Sequence, residues 1–192
     1  MKKNSSKYSG ILLAGGKSSR MGEDKAFIKF GDRYLYEYSL SVLKKFSGDI
    51  LLSSSNPRFD HREYERTEDE ILNLGPIGGI YSCLKKIKCN SAIVLPCDLP
   101  LINRKIIELI IAESADFQIT VALNPQNLPE PLIGIYSISV VPVIEKMIRS
   151  QNYKLQDLLK KSKSNLVKIP EAYHETFINI NSPGDYNQLS TK

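Results

Sequence analysis

The sequence predicts an α/β protein built on a mostly parallel sheet with helices on both faces. Three observations carry that expectation. Short continuous apolar runs alternate with longer stretches of helical periodicity. Glycine or proline punctuates the ends of those runs. With 192 residues, 42% of them hydrophobic, the chain suits one domain, 1–192, with a full core better than two.

Taken in order, residues 8–14 form an apolar run ending in Gly15 and Gly16, a buried strand that feeds a tight loop. Leu35, Tyr38, Leu40, Val42, Leu43 and Phe46 then recur at roughly helical spacing, and 50–52 reads as a second buried strand. Residues 56–69 are charged and irregular, whereas Pro76 opens a helix expected to run to residue 87. A strand over 92–95 follows, and Asn103 caps an apolar helix reaching about Ala112. Strands are expected near 118–122 and 131–137, helices over 139–149 and Leu155–Lys161, and late strands over 166–169 and 177–180. Ser182, Pro183 and Asp185 carry the cap, proline and acid of a final helix start.

Bulk features narrow the function. Cys83, Cys89 and Cys97 make an odd set without CxxC spacing, and His61 and His174 lie far from them, which argues against a zinc or disulfide framework. The net charge of +5 is spread along the chain without a dense basic block, so nucleic acid is the weakest of the partners to expect. The opening nine residues are polar with no long apolar run behind them, so neither a signal peptide nor a membrane span is expected, and the cytoplasm is the expected compartment.

The first loop concentrates chemistry. Residues 13–22 follow a strand and hold Gly15, Gly16 and Gly22, the cations Lys17 and Arg20, and the hydroxyls of Ser18 and Ser19. Glycines let several N–H groups point at one anion, and cations neutralise it, so the loop suits a polyphosphate. Lys25 can reach the same phosphates from the far end of the loop. A small-residue surface turn is the plainer alternative. A P-loop is weakened by spacing, because position 11 holds Ile11 and Gly10 misses by one residue. A GxGxxG triplet is absent too.

Asp98 stands at a strand's carboxyl end between Pro96 and Pro100, suited either to a magnesium ion bridging phosphates or to a turn or cap. Gly75, Pro76, Gly78 and Gly79 precede a helix, where a flat base can lie on backbone, or where helix packing alone calls for glycine. Glu68 and Asp69 lie in a polar stretch whose composition favours a solvated loop. Asn179 and Asn181, two apart on a late strand, would point the same way, toward metal or substrate, or serve as caps.

The stretch Leu13-Ala14-Gly15-Gly16, then Arg20-Met21-Gly22, then Asp24-Lys25 resembles the signature of molybdenum cofactor guanylyltransferases. Gly31 with Leu35, Gly75 to Gly79, Pro96 to Pro100 and Asn179 to Asp185 keep the same family's order, so the resemblance covers nearly the whole chain. Two departures stand out: Ser53 to Ser55 replace a common asparagine, and Gly79 a frequent alanine. The resemblance implies a Rossmann-like three-layer nucleotidyltransferase fold and transfer of GMP from GTP to molybdopterin, with release of pyrophosphate and Mg²⁺ as the ion. By position it gives Leu13, Ala14 and Gly15 to the nucleotide, Lys25 to its phosphates, Asp69 to the nucleoside and Asp98 to the metal. Lys17 and Arg20 would assist with triphosphate charge, and Asn179 and Asn181 would face the reaction centre. Catalytic roles therefore fall on Lys25, Arg20 and Asp98, with no Ser-His-Asp or Cys-His set. A cytidylyl or sugar-phosphate transferase, or a GTP-binding protein without chemistry, would share the loop. Proteins that deliver the acceptor are expected only as transient partners.

Overall fold

The computed structural model describes residues 7–15, 24–60 and 63–180. Strand β1 (Tyr8–Leu13) is buried at every position, as a strand covered on both faces must be. It is followed by a hairpin, β2 (Lys29–Phe30) and β3 (Arg33–Tyr34), turned at Gly31 with a φ of 62°. A positive φ at the first of two turn residues is the condition that selects glycine there. Helix α1 (Leu35–Phe46) begins with the Glu37 side chain accepting from the Tyr34 N–H at 2.8 Å, and its amphipathic face sinks Leu35, Leu40 and Leu43.

Next come β4 (Ser47–Ser53), β5 (Glu65–Thr67), α2 (Pro76–Leu84), β6 (Ser91–Pro96) and α3 (Arg104–Ala112). Asn103 caps α3 by accepting from the Lys105 N–H at 2.9 Å. The remainder is β7 (Ile119–Leu123), β8 (Pro129–Ser137), α4 (Val141–Arg149), α5 (Leu155–Lys161) and β9 (Ser164–Lys168), closed by a 3-10 turn over Glu171–Phe177. The seven-stranded sheet runs β5-β4-β1-β6-β8-β7-β9, with β8 antiparallel to both neighbours and the other pairings parallel.

Alternation along each strand sends residues to two separate cores. Leu12, Ile93 and Leu95 meet α1 and α3 on one face, and Ile11, Leu13 and Val94 meet α2, α4 and α5 on the other. The expected three-layer α/β arrangement is therefore present.

Several local expectations are corrected. Residues 177–180 are not a strand: the 3-10 turn ends at Phe177 and the next three residues are irregular. Both edges of β6 are already taken by β1 and β8, so this segment has no ladder to join there. It crosses the strand ends instead, with the Ile180 N–H donating to the Asp98 carbonyl at 3.2 Å. The premise that Asn179 shares a strand face with Asn181 goes with it. The irregular stretch 56–69 contains the edge strand β5, three residues paired with β4, too short and too charged to show an apolar run. Helix α2 stops at Leu84 rather than 87. The helix expected over 139–149 splits into a 3-10 turn, Ile138–Val140, and α4, with Pro142 in the first turn where a missing N–H is harmless.

Candidate functional site

Four strand ends stand level at one edge of the sheet. Leu13 pairs with Ser53 on one side and Pro96 on the other, and Ser53 pairs with Thr67. The backbone locks this edge: the Ala14 N–H donates to the Ser53 carbonyl at 2.9 Å and the Cys97 N–H to the Leu13 carbonyl at 3.0 Å. Gly15 and Asp98 therefore emerge from adjacent parallel strands, whose spacing is about 5 Å. Leu13 and Ala14 are themselves buried, so what they offer a ligand is backbone, while Gly15 is exposed. A Cβ on Gly15 would sit 3.4 Å from the Ser53 carbonyl, an ordinary contact. Packing among the described residues therefore does not demand glycine at 15. Gly16, Lys17, Arg20 and Asn181 lie outside the described residues.

On the α2 side of this edge, Asp69 lies half-buried against Gly78, whose added Cβ would come within 3.2 Å of an Asp69 carboxylate oxygen and 3.1 Å of the Leu74 Cβ. Burial holds the Asp69 carboxyl above its ordinary pKa of 3.8. The solvated loop that composition favoured is found at exposed Glu68, which pairs with Arg66 at 2.5 Å, and not at Asp69. A Cβ on Gly79 would collide with Ser53 Oγ, so close packing of α2 on β4 accounts for that glycine. Gly75 takes a φ of 70° with open space around it, and exposed Pro76 starts the helix.

On the other side, Lys25 Nζ lies 2.5 Å from Asp98 Oδ2, the two side chains 17% and 19% exposed. Asp98 Oδ1 is buried and has no hydrogen-bond partner among the described residues. An anionic oxygen removed from water and left unpaired is costly unless a ligand supplies the missing charge. This is the atom in the site whose situation calls for a cation.

Lys25 is positioned by neighbours that the sequence reading did not single out. Asp24 accepts from the Ala26 N–H at 3.0 Å and from Asn56 Nδ2 at 2.5 Å, fixing the 3-10 turn Lys25–Phe27. Phe27 anchors that turn among Tyr34, Tyr36 and Phe59, with ring centroids 5.8, 5.5 and 4.7 Å away, and the Arg58 guanidinium lies 3.9 Å from its centroid. The available signal was the acid immediately before Lys25, followed two residues later by an aromatic. Behind Asp98, buried Ser39 donates to the Pro96 carbonyl at 2.6 Å and steadies the strand end. Burial pushes the neighbouring Cys97 thiol up to about 12, so it stays a packing group and not a nucleophile.

Asp98, Glu130 and Asn179 line one small cavity of about 60 Å³ with Leu132 and Phe177. A larger hollow of about 460 Å³, lined by Lys45, Asn103, Arg104 and Tyr173 among others, contains none of the strand-end residues. The structure thus gathers Gly15, Lys25, Asp69, Gly75, Gly78, Asp98 and Asn179 along one edge.

Comparison with known proteins gives the family and the fold. Residues 10–166 match the model of the MobA-like NTP transferase domain. The chain belongs to that family. It is 34% identical over 196 residues to a protein of Bacillus subtilis named probable molybdenum cofactor guanylyltransferase, covering 97% of this chain and 96% of the relative. A Flavobacterium johnsoniae protein of the same name is 31% identical over 180 residues, covering 94% and 95%. Among solved structures, molybdopterin-guanine dinucleotide biosynthesis protein A of Archaeoglobus fulgidus superposes with a TM-score of 0.80 at 21% identity, covering 96% and 100% of the two chains. A 2-C-methyl-D-erythritol 4-phosphate cytidylyltransferase of Thermus thermophilus shares the fold at a TM-score of 0.72 and 13% identity, covering 96% and 100%. As a MobA-like NTP transferase the chain is a nucleotidyltransferase. Among the described residues no helix is long and apolar enough to cross a membrane.

Proposed function

We propose that this chain transfers GMP from GTP to molybdopterin, releasing pyrophosphate, with Mg²⁺ held at Asp98. The observation that carries the reading is the Lys25–Asp98 pair, which leaves one buried carboxylate oxygen unpartnered at the end of the strand adjacent to the one that leads into Gly15. The family membership supports the reaction class, and the names of the relatives support the guanylyl donor and the pterin acceptor.

Lys25 holds Oδ2 and so leaves the buried Oδ1 as the oxygen without a partner among the described residues. Asp98 would hold the ion through a carboxylate oxygen, a hard donor that suits magnesium. When bound there, the ion would supply positive charge to offset that of the phosphates. The chain's own contribution is positioning and electrostatics. The Gly15 backbone lets the triphosphate approach, Lys25 offers positive charge to it, and Asp69 over Gly78 faces the nucleoside. Asn179 flanks the acceptor side, next to Ile180, whose N–H ties the crossing segment to the Asp98 carbonyl. Gly16, Lys17 and Arg20 complete the phosphate cradle in this reading, and Asn181 adds to the acceptor side.

The test is pyrophosphate release by purified protein with magnesium, molybdopterin and GTP, CTP or ATP in turn. Release that requires both GTP and molybdopterin is the expected result. Equal turnover with CTP would overturn the donor assignment, and GTP binding without transfer would overturn the reaction.

A further inference from the structure

We infer that Glu130 is the specificity-determining carboxylate of the acceptor subsite, taking hydrogen bonds from the amino and ring N–H groups of a heterocyclic acceptor. The inference rests on the reading of the acceptor given above.

Its origin is a fault in the sheet. Strand β8 pairs with β6 only from Ser137 to Gly134, opposite Ser91 to Val94, so Leu95 and Pro96 at the end of β6 lack a β8 partner. On its other side β8 pairs Gly134 with Val121 and then Glu130 with Ala122, so three residues, 131–133, bulge from the ladder between consecutive residues of β7. The gap is the small cavity, with Pro96, Asp98 and Leu99 on one wall and Glu130, Leu132 and Ile133 on the other.

This bulge is held on purpose-built contacts. The buried Tyr136 hydroxyl donates to the Pro131 carbonyl at 2.6 Å. Gly134 lets the strand close tightly just before it, since a Cβ there would come 2.5 Å from the Thr120 carbonyl. Prolines 129 and 131 flank Glu130 and remove the N–H groups that a regular ladder would use. Because β8 runs antiparallel, its amino end delivers Glu130 to the edge where parallel strands deliver their carboxyl ends.

Glu130 is fixed by one oxygen. Asn124 Oδ1 accepts from the N–H groups of Gln126 and Leu128, both at 3.0 Å, which sets the orientation of its amide. Asn124 Nδ2 then donates to Glu130 Oε1 at 2.8 Å, and Oε2 has no partner among the described residues. A carboxylate in this position repels the acceptor's phosphate, so it suits the opposite chemical character, an N–H-rich ring edge. The 2-amino-4-oxopyrimidine edge of a pterin presents an amino group beside a ring N–H, two donors side by side for one carboxylate. Phe177 and Leu132 give the cavity apolar walls for a ring. At about 60 Å³ it admits a ring edge or a few waters, not a nucleotide.

The experiment measures kcat and KM for molybdopterin, the Kd for GTP and the melting temperature, in wild type, Glu130→Gln and Glu130→Asp. Glu130→Gln keeps the Asn124 contact and the volume but turns one acceptor into a donor. The expected result is a KM for molybdopterin raised about tenfold to a hundredfold, the scale of a hydrogen bond to a charged group. The kcat at saturation, the Kd for GTP and the melting temperature should hold, and Glu130→Asp should recover part of the loss. An unchanged KM, a fall in kcat alone, or a parallel loss of GTP affinity would each overturn the assignment. A wild-type protein that transfers nothing to molybdopterin would instead remove the proposed reaction, and this inference with it.

Discussion

Replacing Asp98 with Asn separates the site's chemistry from the fold's stability, because it keeps the shape and deletes the charge. Asp98 Oδ2 lies 2.5 Å from Lys25 Nζ. At that separation the gross Coulomb attraction is about 7 kcal/mol at an effective dielectric constant of about 20, and about 2 kcal/mol if fully screened by water. Against it stand the desolvation of a four-fifths-buried pair, several kcal/mol per ion, and an unpartnered buried Oδ1, roughly 1–3 kcal/mol. The Asn amide oxygen still accepts from Lys25. Only the Asp98 share of the desolvation is recovered, and Lys25 keeps its charge without a counter-ion, so the expected loss of stability is about 1–3 kcal/mol, a fall in melting temperature of about 2–12 °C for a chain of this size. The transfer reaction has no such compensation. Losing the group that faces the developing charge should lower kcat by about 10²–10³. The assay pairs pyrophosphate release at saturating GTP, magnesium and molybdopterin with thermal unfolding followed by circular dichroism. Transfer within threefold of wild type would refute the role of Asp98. A melting temperature lowered by more than about 15 °C would refute the balance just drawn.

Asp69→Asn tests the half-buried carboxylate beside Gly78. Its folded pKa is raised by burial above 3.8, so between the unfolded and folded values the native state binds the extra proton and stability falls as pH rises. The penalty persists at neutral pH, and the variant should melt slightly higher than wild type at pH 7 and equally at pH 3, while its affinity for GTP by titration falls. Gly79→Ala drives a methyl group into Ser53 Oγ and toward Leu13 Cδ2, and should cost about 1–3 kcal/mol in urea unfolding. Pairing it with Ser53→Ala should recover part of that loss, and strict additivity of the two changes would count against the collision.

Much of the site was legible because its residues sit where regular structure stops. The apolar run before Gly15 and the prolines around Asp98 mark strand ends, and strand ends of a parallel sheet are where ligands go. Lys25 could be named from its charge and its place after the loop, but not its partner, since Asp98 lies 73 positions further along and the intervening sequence carries no trace of the pairing. Asp69 shows the opposite weakness. Its polar neighbours suggested solvent, and only the packing of α2 at Gly78 buries it. Glu130 went unread for a similar reason: a glutamate between two prolines looks like a turn until the antiparallel strand and its bulge carry it to Asp98.

The chain's local pattern alone determined which segments are buried, which are helical and where the glycine loop begins, since burial and periodicity are written residue by residue along β1, α1, α3 and α5. It did not determine neighbours. That β8 runs antiparallel between β6 and β7, that the short polar strand at 65–67 closes one edge of the sheet, and that 177–180 crosses the strand ends unpaired were decided by the assembled sheet. Hydrogen-bond ladders are satisfied between segments far apart in the chain, so which edge remains open, and which side chains meet there, exists only once the strands have taken their order.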